Sequence, residues 1–425
     1  MKDLKGKKLL VLGNSYSTVN VVKLAKKMGL HVTVTGLIPN GQAETFADEY
    51  FKVDTTDYPT LLQYIKDHSI DGVMTGSGEF NIINMINLCK LAGLPVYATK
   101  EQWDCCQDKR NFKDLCKQNG VPGVPEFGVD DVLTEKDFPV IVKPVDGCSS
   151  RGINVCNNNE ELVVAKQKAL DASPAKKILI ERYINNGGLT HVIKYVVVDG
   201  KFYMEVMGDR YVLNGGLITA VTFFPSKNTD LFMRTSDKAV QKMFRSIGYN
   251  NGVFFLQSLP EGDNIYTYEM GLRTGGGMTY KLTEATSGNN DLEMLIHYAI
   301  TGQMCEPADL DTIDANLKGK KAASLAMPLR LGTIGSVAGL NKIVEMDGVV
   351  NLTHFYEVGD TIVPKNINTL DQLFARVMVA RDSQEELMET LNAIRNTVSV
   401  KDVDGNNMII WDTFDGIYQE HHDTK

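Results

Sequence analysis

Lys143 ends a short apolar run, VIVKP, and DGCSSRG, dense in glycine and serine, follows at once. Glycines let backbone N–H groups approach anionic oxygens, the hydroxyls of Ser149 and Ser150 add donors, and a lysine beside the loop supplies a point charge. The stretch reads as a cradle for phosphate, with Gly152 closing it. It is not a GxxxxGK[ST] loop, which occurs nowhere in the chain. A lysine on a buried strand is costly unless it meets an anion, so Lys143 calls for one. A second constellation, NGVFFLQSLPEGDNIYTYEMGLRTGGG, reads as two antiparallel strands around a Pro/Gly/Asp turn. That pairing lets Gln257 sit opposite Glu269, two oxygen donors suited to a hard cation such as Mg²⁺. Arg273 follows at the strand end, beside Gly275, Gly276 and Gly277. Glu79, just after the apolar strand DGVMTG, either holds a substrate amine or caps the helix behind it.

These residues need strands and loops to hold them. From Lys7, KKLLVLGNSYSTVNVVKLAKKMGLHVTVTG alternates strand, turn, amphipathic helix and strand, and the pattern continues to Thr99 with PVYAT as a closing strand. An open parallel α/β sheet of about four strands follows from it. EQWDCCQDKRNFKDLCKQNG is expected to be one helix stopping at Asn119 and Gly120. The stretch 121–207 reads as a small α+β module, with a helix over 159–172 and a two-residue turn at Asp199 and Gly200. Beyond it come a helix in LEMLIHYAITGQM, strands in RLGTIGSVAGL and NLTHFYEVGD, a helix in SQEELMETLNAIRNTV and a polar tail, QEHHDTK. The fold class is therefore α/β followed by α+β, in three regions: 1–100, 101–207 and 208–425.

With 425 residues the chain exceeds one ordinary domain. Its 43% hydrophobic and 23% charged residues are those of a globular protein, and no apolar run suffices for a membrane span. The start, MKDLKGKKLLVLG, lacks a signal-peptide cleavage site, so a cytoplasmic location is expected. A net charge of −9 argues against a nucleic-acid binder, which leaves small molecules as the expected partners and a homodimer as the ordinary prior. The seven cysteines are scattered without a CxxC pair and read as reduced thiols. His191 and His297, with no recognisable acid, base or metal partner in sequence, read as packing residues.

Taken together the motifs resemble those of the ATP-grasp superfamily, over nearly the whole chain. The resemblance implies a pre-ATP-grasp α/β domain, a two-lobed α+β ATP-grasp domain, and a C-terminal lobe with antiparallel strands that closes over substrate. Lys143, Pro144 and DGCSSRGI look like the family's phosphate-binding lysine and glycine-rich lid. DKRNFK resembles the segment whose lysine, here Lys109, reaches the phosphates from the other side. LIERYI is similar to the adenine hinge, which implies Glu181 at the amino group and the backbone of Tyr183 and Ile184 on the ring. Gln257 and Glu269 fall at the metal positions and Arg273 at the phosphate-contacting arginine. Two departures stand out. EMGLR has Gly271 where the family commonly has asparagine, which removes a ligand of a second metal, and GGLTH has Thr190 where a ribose-binding glutamate is common.

Within the superfamily the chain resembles the carboxylate–amine ligases, which include L-amino-acid ligases and the carbamoyl-phosphate-synthase-like group. The implied reaction phosphorylates a carboxylate, expected to be that of an amino acid, with ATP and Mg²⁺ or Mn²⁺. An amine then displaces phosphate from the acyl phosphate. Lys143 and Arg273 are the expected catalytic residues. ATP contacts fall to Lys109, Lys143, Ser149, Ser150, Gly152, Glu181, Tyr183, Ile184 and Thr190, and the substrate pocket to Glu79, Arg210, Gly275 and Gly276. Two alternatives remain: phosphorylation of bicarbonate on the way to carbamoyl phosphate or carboxyphosphate, and a degenerate ATP-binding regulatory protein.

Overall fold

A computed structural model describes residues 4–146, 152–213 and 218–423. The chain opens with β1 (Lys8–Leu12), α1 (Tyr16–Lys27), β2 (His31–Gly36), β3 (Glu49–Lys52), α2 (Tyr58–His68), β4 (Gly72–Thr75) and α3 (Glu79–Ala92). Leu9, Leu10, Val11 and Leu12 are fully buried, as parallel strands covered on both faces must be. The four strands pair in parallel in the order β3-β2-β1-β4. Chain direction across the sheet therefore reverses between β1 and β4, and the loops at their carboxyl ends flank the crevice where such sheets take ligands. The two loops meet tightly: a Cβ on Gly76 would stand 2.1 Å from the Ser17 carbonyl oxygen, so only glycine fits.

PVYAT does not form the expected closing strand, and β4 stands at the end of the sheet with a helix packed on its face. Gly72 lies against the backbone of Ala299, where a Cβ would come within 2.3 Å of the carbonyl oxygen, and Ala299 belongs to α10 (Asp291–Thr301), far along the chain. The expected single helix over 101–120 is two, α4 (Lys100–Gln107) and α5 (Lys109–Asn119). Asp108 between them is extended and accepts from the Arg110 and Asn111 amides, so a side chain that caps a new helix ends the old one. Gly120 closes α5 in the left-handed conformation.

A second sheet, in the order β5-β8-β6-β7, comprises β5 (Glu126–Phe127), β6 (Val140–Pro144), β7 (Asn154–Cys156) and β8 (Ile178–Arg182), backed by α6 (Asn159–Ala172). It has its own small core, in which Val140, Val142, Leu162, Ala165 and Ile180 pack together.

The largest sheet has eight strands. It takes in β9 (Leu189–Val198), β10 (Lys201–Val212), β11 (Thr219–Phe224), β12 (Gly252–Glu261), β13 (Asn264–Gly271), β14 (Lys321–Pro328), β16 (Val349–His354) and β18 (Leu373–Arg381), in the order β13-β12-β9-β10-β11-β14-β18-β16. Asp199 and Gly200 turn β9 into β10 with positive φ, as a two-residue hairpin requires. The expected boundary at 207 falls inside β10, and β9 and β10 ladder into this sheet, so the sheets change between Arg182 and Leu189. Around the sheet lie α7 (Thr229–Thr235), α8 (Asp237–Ser246), α9 (Tyr280–Thr286), α11 (Leu340–Val344) and α12 (Gln384–Thr397), with β15 (Gly332–Ala338), β17 (Thr361–Ile362) and β19 (Ser399–Asp402) in a third antiparallel sheet. The polar tail is helical as far as Asp423, within α13 (Asp412–Asp423), because Phe414 and Ile417, three residues apart, reach the core of the C-terminal lobe. Among the described residues no helix is long and apolar enough to cross a membrane.

Candidate active site

The residues singled out in sequence converge from three elements. Thr190 on β9 is opposite Arg210 on β10, and Gln257 on β12 is opposite both Val192 on β9 and Glu269 on β13. Directly paired residues share a face, so Thr190, Arg210, Gln257 and Glu269 form one polar row across four strands. Between Gln257 and Ser258 the register slips, which leaves Tyr268 as the extra residue of a bulge. Bulges re-aim side chains, and here the Tyr268 hydroxyl donates to Gln257 Oε1 at 2.6 Å. That leaves Gln257 Oε1 a second lone pair, beside the Glu269 carboxylate, for a hard cation. Burial, against the opposing effect of Arg210, pushes the Tyr268 phenol up to about 12, so it stays a donor at neutral pH.

The smaller sheet faces this row. Lys143, 6% exposed, has its ammonium 2.5 Å from Glu181 Oε2 and 6.0 Å from the centre of the Tyr268 ring. Lys113 on α5 bonds the other oxygen of Glu181 and donates to the Val124 carbonyl at 2.8 Å. Burial pushes the Glu181 carboxyl up, but Lys143 and Lys113 outweigh it and hold it below the usual carboxylate range. The neighbouring acid, Glu126, accepts from Arg110 Nη1 on both oxygens at 2.9 and 3.0 Å, and its Oε2 also lies 3.7 Å from the Lys113 ammonium. Arg110, Lys113 and Lys143 thus face the two carboxylates of Glu126 and Glu181, which leaves about one positive charge at the site.

Several expected roles change. Glu181 was expected free for an adenine amino group, but both its oxygens face lysines. The Tyr183 amide donates to the Pro139 carbonyl at 3.0 Å, so it is not a free ring contact, whereas Ile184 is buried beside it. Glu79 neither caps α3, whose N-cap is Gly78 with no side-chain bond, nor stands free. It accepts from Arg273 Nη2 at 3.0 Å, which ties the α/β domain to the end of β13. The Arg273 guanidinium lies 5.0 Å from the centre of the Phe255 ring, and its Nε is buried without a described partner. Gly271 is explained by the same ring: a Cβ there would stand 2.6 Å from Phe255 Cε1, so an asparagine would displace the platform under Arg273.

Lys109, half-buried, begins α5, its amide bonded to the Val145 carbonyl at 3.3 Å. The Thr190 hydroxyl is buried without a described partner. Arg210 donates from Nη2 and Nε to Thr219 Oγ1 at 2.8 and 3.3 Å. Gly275 and Gly276 form an open turn in which Gly275 accepts from the Met278 amide at 3.4 Å. Gly152 has a positive φ of 75° and packs on α6, where a Cβ would meet that of Ala172 at 2.6 Å. Ser149 and Ser150 lie outside the described residues. His191 is a core residue: its Nδ1 meets Ser258 Oγ at 3.1 Å, and burial pulls its pKa down to about 4. The six described cysteines are free thiols.

Sequence reasoning passed over Lys113, Tyr268 and Arg376. Lys113 had a legible signal, since it follows Lys109 by four residues and so shares its helix face. Tyr268 depends on the bulge, and Arg376 on a strand whose neighbours are distant in sequence.

Residues 111–212 match the family model described as the D-ala D-ala ligase C-terminus. The carbamoyl phosphate synthase large chain of Clostridium botulinum is 26% identical over 203 residues, which cover 42% of this chain and 19% of that one. The chain therefore spans only about a fifth of the length of that curated relative. The crystal structure of an L-amino acid ligase from Bacillus licheniformis superposes with a TM-score of 0.76 at 18% identity, over 94% of this chain and 99% of that one. The biotin carboxylase domain of Hydrogenobacter thermophilus 2-oxoglutarate carboxylase, solved as a dimer with MgADP and bicarbonate, gives 0.74 at 19% identity, over 95% and 91%. Residues 111–212 thus match that family model, and the chain as a whole shares the fold of these ligase and carboxylase structures.

Proposed function

We propose that the protein is an ATP-dependent carboxylate–amine ligase that activates the carboxylate of an amino acid as an acyl phosphate. The observation that carries this reading is the surplus positive charge of Lys113 and Lys143 over Glu181, facing the Gln257 and Glu269 oxygens across Tyr268. A polyphosphate bridging the two sheets supplies the charge that the lysines lack. Glu269 and Gln257 fit Mg²⁺: both offer oxygen only, and a pair of protein ligands is usual where phosphates complete the shell. Mg²⁺ so held would neutralise charge on the transferring phosphoryl group.

Phosphoryl transfer needs positioning and charge stabilisation more than covalent help. Lys143 and Lys113 orient the phosphates, and Glu181 holds both ammonium groups in place without neutralising them. The substrate carboxylate oxygen attacks the γ-phosphorus and ADP leaves. The amine then attacks the acyl carbon, loses a proton, and phosphate departs with the original carboxylate oxygen. The small sheet, with its own core, can close on the row of Thr190, Arg210, Gln257 and Glu269 and exclude water from the acyl phosphate. The test is ADP release over a grid of amino acids and amines, with product masses read in parallel. ADP release that needs an acid, with a mass equal to the sum of acid and amine less water, is expected; release indifferent to every acid refutes the reading. Similarity to a carbamoyl phosphate synthase favours one other acid, bicarbonate, and bicarbonate-stimulated release without an amino acid selects it.

A further inference from the structure

Arg376 lies on β18, where its Nη1 donates to the Gly276 carbonyl at 3.4 Å, and among the described residues it forms no ion pair. Arg210 likewise forms no described ion pair: it bonds the neutral Thr219 hydroxyl and lies beside the Tyr268 phenol. In the sheet order β18 lies three strands beyond β10, and β13 three strands to the other side. The row of Arg210 runs through Thr222 and Ser324 to Met378, two residues from Arg376, so at the usual strand spacing and rise Arg376 starts about 16 Å from Arg210, on the same face, a gap that two arginine side chains narrow from both ends. Burial lowers the Arg376 pKa, and the Arg210 guanidinium lowers it further, so each feels the other's charge. Two guanidinium groups held toward one another without a carboxylate are destabilising, and an anion between them relieves the cost.

The surroundings suit a ligand. Tyr16, at the first turn of α1, packs edge-on against Phe355 at 5.2 Å, and the described contact of its hydroxyl is the weak acceptor Met278 Sδ at 4.0 Å. The turn at Gly276 reaches the loop after β4, where a Cβ would stand 3.8 Å from Ser77 Oγ. The space is thus bounded by both arginines, the glycine turn and the crevice of the α/β sheet, on the side of Arg210 away from Gln257 and Glu269.

We propose that Arg376 and Arg210 bind a second anionic group of the acid, so that the carboxylic acid substrate is a dianion, either a dicarboxylate or an acid bearing a phosphate. This rests on the ligase reading for the word substrate, but its test needs no turnover. The full-length protein saturated with Mg-ADP is titrated calorimetrically with succinate, glutamate and O-phosphoserine, and with butyrate, glutamine and serine. The dianions are expected to bind at least tenfold more tightly than their neutral-tailed counterparts. Arg376→Gln is expected to abolish that preference with the affinity for Mg-ADP unchanged, and Arg376→Lys to keep part of it. Equal binding of succinate and butyrate by the wild type, or an intact preference in Arg376→Gln, overturns the proposal. Should Arg376→Gln not fold, the wild-type pairs and Arg376→Lys decide. Dianion binding through Arg376 without acid-dependent ADP release would retain the anion site and remove the ligase reading; acid-dependent release with no dianion preference would do the reverse.

Discussion

Two lysine–carboxylate clusters in this chain have reversed stoichiometry. At the cleft, Lys113 and Lys143 share the buried carboxylate of Glu181, while Glu126, 3.7 Å from Lys113, is also paired with Arg110. In the core beneath the large sheet, the single ammonium of Lys194 is shared by Glu205 Oε2 at 2.9 Å and Asp291 Oδ2 at 2.6 Å, each of the three residues at most 1% exposed. The core cluster has a surplus negative charge, and the fold meets it internally. Thr283 and Asn289 donate to Glu205 Oε1 at 3.1 and 2.5 Å, and burial together with Asp291 pushes the Glu205 carboxyl up to about 7, where it takes a proton. The cleft cluster has a surplus positive charge, because Arg110, Lys113 and Lys143 face only the carboxylates of Glu126 and Glu181. A surplus that a proton can cancel is compatible with a sealed core, whereas a surplus cation beside an open cleft is a demand for an anionic ligand.

Removing one lysine from each cluster breaks the comparison most severely. Lys194→Met leaves two buried carboxylates without a cation and is expected to cost about 3–5 kcal/mol of stability, read by chemical denaturation. Lys143→Met leaves Glu181 still paired with Lys113, so the fold should survive. ADP release should nevertheless fall by a factor of about 10² to 10³, the usual consequence of losing one preorganised charge at a phosphoryl-transfer site. Equal destabilisation by the two substitutions would remove the distinction between a structural and a functional cluster.

The dependence on pH sharpens the same contrast, because the two clusters slope in opposite directions. Glu205 has a folded pKa near 7, above its unfolded value of about 4.3, so its contribution is full below the unfolded value and is lost as pH rises toward 7. The melting temperature of Glu205→Gln relative to wild type is therefore expected to rise between pH 5 and pH 8. Glu181 has a lowered folded pKa, so its contribution is present above the unfolded value and is lost as pH falls through the folded one. Glu181→Gln should flatten the acid limb of the stability profile and leave the limb between pH 5 and pH 8 unchanged. A smaller effect is expected at Gly271→Ala, where crowding Phe255 should cost about 1–3 kcal/mol and loosen Arg273, detected as a lower melting temperature with a raised KM for ATP.

What the sequence revealed of this arrangement depended on range. The βα units, the hairpin at Asp199 and Gly200, the helix over 159–172 and the pairing of Gln257 with Glu269 are written in local periodicity and turn residues, and the structure has all of them. PVYAT was misread as a closing strand, and the packing of α10, more than two hundred residues downstream, on the face of β4 left no local trace either. The break at Asp108 was missed because a capping aspartate in a helical pattern looks like any surface acid. At the site, the buried lysine at Lys143 announced its need for an anion, but not that Glu181 would answer it; that pairing rests on the antiparallel register of β6 and β8. Tyr268 and Arg376 were illegible for a similar reason, since a bulge and a long-range strand neighbour leave no periodic trace.

The central claim is that the carboxylate substrate is activated by direct phosphorylation, and oxygen tracing tests it. An acid found active in the grid is supplied with ¹⁸O in its carboxylate, together with Mg-ATP and the amine, and the released phosphate is analysed by mass. One ¹⁸O in each phosphate is predicted, because the leaving phosphate takes the oxygen that attacked the γ-phosphorus. Phosphate without label, alongside normal product, would contradict the acyl phosphate and with it the role assigned to the cleft.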